Sequence, residues 1–263
     1  WKLPVDPARM RALRTEGKML LQTSLEAGVR TVTMNRPEKR NAMTDAMLEQ
    51  LMEAFTSEPH EDERVTVLRG AGPSFCAGRD IGQDMLVDIE PVFHAVEHYP
   101  LPVVAAVQGN AIAGGCEIAL HCDFVVAMSN ARFGMSLAQI GMAPTWFLAK
   151  KLLEVAGPVG AREILLLGDP IAAMRMYELG MISHIADESD FETTLNGIVQ
   201  RLVSNAPLSL KAIKALLLRE MTFRDGIEHA DVDALARAAS RSEDAKEGKA
   251  ARLAKRDPAF KGH

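Results

Sequence analysis

The chain has 263 residues, 48% hydrophobic and 25% charged, with a formal net charge of −5. This is ordinary globular composition, and without a block of five or six like charges it lacks the electrostatic footprint of a nucleic-acid binder. No apolar run reaches the roughly 18–20 uncharged residues of a membrane span, and three cysteines without regular spacing speak for a reducing compartment rather than a disulfide framework.

The length is at the upper edge for one hydrophobic core, which predicts one domain with an appended helical piece. The opening residues show no charged start followed by an apolar core, so no secretory leader is expected. A cytoplasmic location is expected, with an organelle matrix left open because the chain starts at Trp1 rather than Met.

In chain order, residues 1–18 are polar and basic and read as an N-terminal arm. Strand-like runs at 19–25 and 29–34 flank a Glu26-Ala27-Gly28 turn. Asn41 and Thr44 are capping residue types ahead of a helix over about 44–56, with Met47, Leu48, Leu51, Met52 and Phe55 on one face. Strand, glycine turn and helix then recur, as 65–70 into 71–82 and as 103–108 into 114–121, followed by an apolar run at 124–128. Strands alternating with helical patterns imply βαβ units and an α/β fold rather than a sandwich.

From Pro158 the pattern becomes almost purely helical, with runs closing on Gly168 and Gly180 where glycine favours a helix end. A short strand is predicted at 181–185, then helices at about 190–204, 207–220 and 223–253. The expected division is the arm (1–18), an α/β core (19–200) and a C-terminal helical region (201–263).

The chemistry concentrates in two turns. Pro73-Ser-Phe-Cys-Ala-Gly-Arg-Asp-Ile81 follows one apolar strand, and Gln108-Gly-Asn-Ala-Ile-Ala-Gly-Gly-Cys-Glu117 follows another. Glycine tolerates positive φ and lets a ligand approach the backbone closely. Two such turns aimed at one point would offer paired N–H donors to a developing oxyanion, each worth about 3–4 kcal/mol in the transition state. A third segment, Phe133-Gly-Met-Ser-Leu-Ala-Gln-Ile-Gly141, follows in order.

These segments resemble the crotonase superfamily, the enoyl-CoA hydratase/isomerase family. Asn35-Arg-Pro-Glu-Lys-Arg-Asn-Ala-Met43 is similar to the family's N-R-P-x-x-x-N-A-[LM] segment, and 74–80 and 113–117 to its two oxyanion turns. The ending from Glu247-Gly248 to Lys255-Arg-Asp-Pro-Ala-Phe-Lys-Gly-His263 resembles E-G…K-R-x-P-x-F-x-G. The resemblance implies a spiral of ββα units with C-terminal helices packed across a trimer, or a dimer of trimers. It implies an acyl-CoA substrate and no metal or redox cofactor. Residue by residue, it assigns the oxyanion donors to the backbone N–H groups of Arg79 and Gly114 and the acid/base to Glu117. It places CoA along Arg40, Ala42, Asp80 and Ile81. Lys39, Arg40 or Lys261, the last from a neighbouring subunit, could meet its phosphate or equally be solvated surface.

One departure matters. The family's hydratases carry a second glutamate where this chain has Leu137, and leucine cannot carry a proton. Two-carboxylate hydration is therefore in question, and a CoA-ester decarboxylase or hydrolase on the same scaffold is the alternative. Arg79 could hold a substrate carboxyl there, or pair with Asp80 or a CoA phosphate. An RNA-binding member of the family is a further class, disfavoured by the acidic balance.

Other features take plainer readings. Ser136 misses the second glycine of G-x-S-x-G. Cys116, His121 and Cys122 fit a core better than zinc. His94 and His98 are read as surface or interface residues. Trp146 and Phe147, where the family's hydratases have a small, Gly-rich stretch, are expected to reshape the acyl pocket or to pack on the next helix.

Overall fold

The computed structural model describes residues 19–80 and 86–263; the arm expected over 1–18 and Ile81 lie outside the described residues. Hairpin strands β1 (Leu21–Glu26) and β2 (Val29–Met34) are antiparallel. Ala27 and Gly28 between them both take positive φ, 49° and 82°. From β2 onward the sheet is parallel: β3 (Val65–Gly70), β4 (Val103–Val107), β6 (Phe124–Met128) and β9 (His184–Ala186) give the order β1-β2-β3-β4-β6-β9.

Strand β4, Val-Val-Ala-Ala-Val, is buried along its whole length. A parallel strand covered on both faces has no polar side to show, so it reads as an uninterrupted apolar run. Three short strands, β5 (Asn110–Ile112), β7 (Arg132–Gly134) and β8 (Ile171–Ala172), form a second sheet in the order β5-β7-β8.

Helices pack on both sheets. Helix α1 (Asp45–Thr56) presents Met47, Leu48, Leu51 and Phe55 to the core. Complete burial of a side chain of this size contributes about 1.5–3 kcal/mol. Thr44 caps it, its hydroxyl accepting from Met47 N at 3.2 Å. Helix α2 (Glu90–Glu97) buries Val92, Phe93 and Val96, and α3 (Gly114–Leu120) is buried from Gly115 onward.

Helix α4 (Trp146–Arg162) is broken at Gly157 (φ 63°, ψ 179°) ahead of Pro158. It starts well before the helical region expected from Pro158. Beyond it, 163–167 forms a π turn closing on left-handed Gly168. Helices α5 (Ala173–Glu178), α6 (Phe191–Ser204) and α7 (Pro207–Glu220) fall where periodicity placed them.

The single run expected over 223–253 is instead a short 3-10 turn, then α8 (Ala230–Arg241) and α9 (Glu243–Ala254). The break is at Ser242, which leaves the helical region (ψ 163°) and caps α9 by accepting from Ala245 N at 3.0 Å.

Asn41 has a different task from the helix cap its type suggested. Fully buried at φ 54°, it donates through Nδ2 to the carbonyls of Ala71 (2.9 Å), Ser74 (2.8 Å) and Phe75 (3.1 Å). Its Oδ1 accepts from Arg36 N at 2.9 Å. One side chain thus organises the loop leading from β3 into the first glycine turn. Truncation strands several buried polar groups at a cost of about 1–3 kcal/mol each. Asn41→Ala should therefore lower the denaturant midpoint by the equivalent of at least about 3 kcal/mol, whereas Asn35→Ala nearby should change it little.

Candidate active site

The segment after β3 is held between two others. Arg79 pairs with Met43 and Cys76 with Ala111 as isolated parallel bridges. Met43 N donates to Gly78 O (2.8 Å) and Asp80 N to Met43 O (3.0 Å). On the other side, Cys76 N donates to Asn110 O (3.1 Å) and Ile112 N to Cys76 O (2.9 Å).

This arrangement brings the two glycine turns into contact. A methyl group built on Gly78 (φ +84°) would lie 3.1 Å from Gly114 N and 2.7 Å from Ile112 O. Ala113, at φ 49° and ψ −123°, takes a conformation rare for a residue with a side chain and turns the chain sharply into α3. Strain of this kind costs on the order of 1–3 kcal/mol and persists only where the surroundings impose it. Among the described residues neither Arg79 N nor Gly114 N donates to any acceptor.

Glu117 lies one turn into α3, its backbone N donating to Ala113 O at 3.0 Å. Its side chain is buried, with the residue 7% exposed, and it has no ion-pair or hydrogen-bond partner among the described residues. Burial pushes its carboxyl up to about 8, with further rises from the negative charges of Glu90 and then Asp88. An unpaired carboxylate in an apolar surround favours its neutral form, and such perturbed groups concentrate at functional sites.

Glu90 is itself raised by burial, opposed by the Thr145 hydroxyl and reinforced by Asp88 and Asp233. It lines a cavity of about 510 Å³ together with Thr145, Trp146, Phe147, His229 and Asp233. Neither Glu90 nor His229 was visible as a site residue in the sequence, because no motif connects them to the glycine turns.

Several expected residues gather beside the first turn. Arg40 is exposed at φ 53°, and its carbonyl accepts from Ala77 N at 2.9 Å. The Ala42 carbonyl accepts from Arg36 Nη1 at 3.0 Å, and the same guanidinium pairs with Asp80 at 2.6 Å. Lys261 lies apart in the exposed tail, its backbone N donating to Asp244 Oδ1 at 2.7 Å. Ile81 lies outside the described residues.

The Arg79 guanidinium is engaged by Asp45 in the first turn of α1. Its Nη1 is buried and has no hydrogen-bond partner among the described residues, while Asp80 pairs with Arg36. Leu137 packs partly buried against the core.

The remaining candidates have structural surroundings. Phe147 stacks on His121 at 4.7 Å, with Phe93 also stacked on that imidazole at 5.9 Å. His121 Nδ1 lies 3.4 Å from Glu97. Trp146 stacks on His229 at 4.6 Å, so both aromatics line the cavity and pack at once. Cys76, Cys116 and Cys122 are buried free thiols. Among the described residues no group of three or more His, Cys, Asp or Glu is placed to hold a metal ion, and no helix is long and apolar enough to cross a membrane. Ser136 Oγ accepts from Arg252 Nη2 at 2.9 Å. His94 and His98 stack on each other at 3.8 Å near the end of α2.

The sequence profile of the enoyl-CoA hydratase/isomerase family matches residues 24–263. The chain is 34% identical over 258 residues to 1,2-epoxyphenylacetyl-CoA isomerase of Escherichia coli K12, covering 90% of this chain and 97% of that one. Its fold is similar to a crystal structure of an enoyl-CoA hydratase from Mycobacterium avium subsp. paratuberculosis, with a TM-score of 0.83 at 27% identity, over 92% of this chain and 99% of the other. It is also similar to methylmalonyl-CoA decarboxylase complexed with 2S-carboxypropyl-CoA, with a TM-score of 0.85 at 25% identity, over 94% of this chain and all of that one.

The fold is the α/β crotonase fold with a helical C-terminal region. The chain belongs to the enoyl-CoA hydratase/isomerase family and is an acyl-CoA enzyme of the hydratase/isomerase type.

Proposed function

We propose that the protein binds a CoA thioester with its acyl carbonyl oxygen between the N–H groups of Arg79 and Gly114, and that Glu117 carries the proton at the α carbon. The observation that carries this reading is the contact of the two glycine turns. Among the described residues neither donor has an acceptor, and Glu117, one turn into the helix that starts at Gly114, is a buried carboxyl without a partner. Donors fixed in place before the reaction stabilise an enolate oxygen as its charge develops, without reorganising at that moment.

Proton transfer beside a polarised thioester needs only these groups, so the proposal assigns no metal or redox cofactor; the CoA arrives with its acyl group. Arg40, Ala42 and Asp80 border the same turn and are proposed to receive the CoA, Asp80 by fixing Arg36 and the turn itself. Lys261 is proposed as a phosphate partner from the tail. A CoA-ester decarboxylase or hydrolase on the same scaffold is the second reading, supported by the similarity to methylmalonyl-CoA decarboxylase and by Arg79 Nη1, buried without a partner among the described residues.

Incubation of butyryl-CoA with the enzyme in D₂O tests the reading. Deuterium should enter at the α carbon, and an absence of exchange at enzyme concentrations that bind the ester contradicts it.

Assembly into trimers, or dimers of trimers, belongs to the same proposal. It is supported by the exposed apolar side chains Leu208, Ile213, Leu216 and Leu217 on α7 and by Leu166 and Leu167, the residue type that assembly would remove from water. Light scattering should give three or six times the 28.6 kDa of the chain, and a monomer at micromolar concentration would contradict assembly.

A further inference from the structure

We infer that Glu90, on the first turn of α2, supplies the second carboxylate that this chain lacks at position 137, and that Glu90 and Glu117 divide the two proton transfers of water addition to an enoyl-CoA. The inference rests on the enolate reading above and concerns what happens at the β carbon.

Three observations carry it. First, the start of α2 is seated against the oxyanion turn: a methyl built on Gly114 would lie 3.0 Å from Ile89 Cδ1 and 3.5 Å from Phe93 Cζ. Glu90 follows Ile89 in the first turn of that helix. Second, Glu90 lines a cavity of about 510 Å³ together with Trp146 and Phe147, which is large enough for a short acyl chain and a water. Third, Glu117 is buried and has no partner among the described residues, and after burial Glu90 is the foremost charged group raising its carboxyl.

Position 137 offers a partly buried leucine packed against the core, so a second proton carrier must come from another element. Burial first, and then the charges of Glu90 and Asp88, favour a proton on the Glu117 carboxyl. Glu117, held up to about 8, keeps it at neutral pH.

The step balances without any added reagent. Glu90 carboxylate accepts a proton from water as the water oxygen bonds to the β carbon, and the π electrons move onto the thioester oxygen. Glu117 then gives its proton to the α carbon as the carbonyl re-forms. Return of the proton from Glu90 to Glu117 restores the starting state.

The test compares wild type with Glu90→Gln in two assays, crotonyl-CoA hydration and α-hydrogen exchange of butyryl-CoA in D₂O. The second, run at pH 8 where the Glu117 carboxylate is populated, uses only the oxyanion donors and Glu117. Glu90→Gln should lose about 100-fold or more in hydration, the loss typical of removing a general acid/base, while exchange falls less than tenfold. The double variant Glu90→Gln/Leu137→Glu should recover at least tenfold of the lost hydration.

Hydration by Glu90→Gln within threefold of wild type overturns the assignment, as does an equal loss in both assays, or a wild type that exchanges but does not hydrate. A wild type that does not exchange defeats the enolate reading itself and the Glu90 role with it. If Glu90→Gln fails to fold, Glu90→Asp takes its place, its shorter reach expected to cost hydration selectively in the same way.

Discussion

Glutamine in place of Glu117 should cut turnover about 10²–10⁴-fold, the range for a positioned proton carrier, and at the same time make the protein more stable at pH 8. Both effects have one cause, a carboxyl buried without a partner. In the fold it titrates near 8, against 4.5 for an ordinary glutamate. Between those values the folded chain holds a proton that the unfolded chain has released, so stability falls as pH rises through the window.

At about 1.4 kcal/mol per pH unit, the penalty reaches several kcal/mol by pH 8. Glutamine has the shape but not the charge, and removes the penalty. Denaturant titrations of wild type and Glu117→Gln should coincide near pH 4 and diverge upward in favour of the variant towards pH 8. A variant of equal or lower stability at pH 8 would mean that the carboxyl has a partner, and the argument for its catalytic state would fail.

Gly78→Ala should reduce kcat about 10²–10³-fold, the cost of one displaced oxyanion donor. The added methyl must enter where Ile112 O, the Ala113 Cβ and Gly114 N stand 2.7, 2.9 and 3.1 Å away, and it must do so at φ +84°. Backbone atoms cannot swing aside as a side-chain tip can, so the two turns are forced apart. Because the change is local, CoA-ester binding measured by thermal shift should survive while kcat falls. Gly197→Ala, on the face of α6 where a methyl meets nothing within 4 Å, is the control and should leave kcat unchanged. Full activity in Gly78→Ala would show that the turns do not act together.

The parts of the fold legible in the sequence are those with a strong local signal. Strands β2, β3, β4 and β6 are apolar or alternating runs long enough to stand out, and α1 shows its buried stripe in spacing alone. Strands β5, β7 and β8 escaped notice because two or three residues carry no period. Their partners are set by tertiary contacts such as the Cys76–Ala111 bridge. The break at Ser242 had a signal, a serine followed by Glu243 and Asp244, but the Ala- and charge-rich run around it read as continuous helix.

In the site, the glycines announced themselves because backbone approach demands that residue type. Side-chain relations across long separations did not. The engagement of Arg79 by Asp45, the loop-organising role of Asn41 and the seating of Ile89 and Phe93 beside Gly114 arise only when distant segments fold together.

The most direct measurement is a crystal structure of the protein with a non-hydrolysable acyl-CoA thioether or thioester analogue bearing the acyl carbonyl. The account predicts that this oxygen lies within about 3 Å of both Arg79 N and Gly114 N, with the Glu117 carboxyl facing the α carbon. A carbonyl bound elsewhere, or held by side chains with those two amides left unengaged, would contradict it.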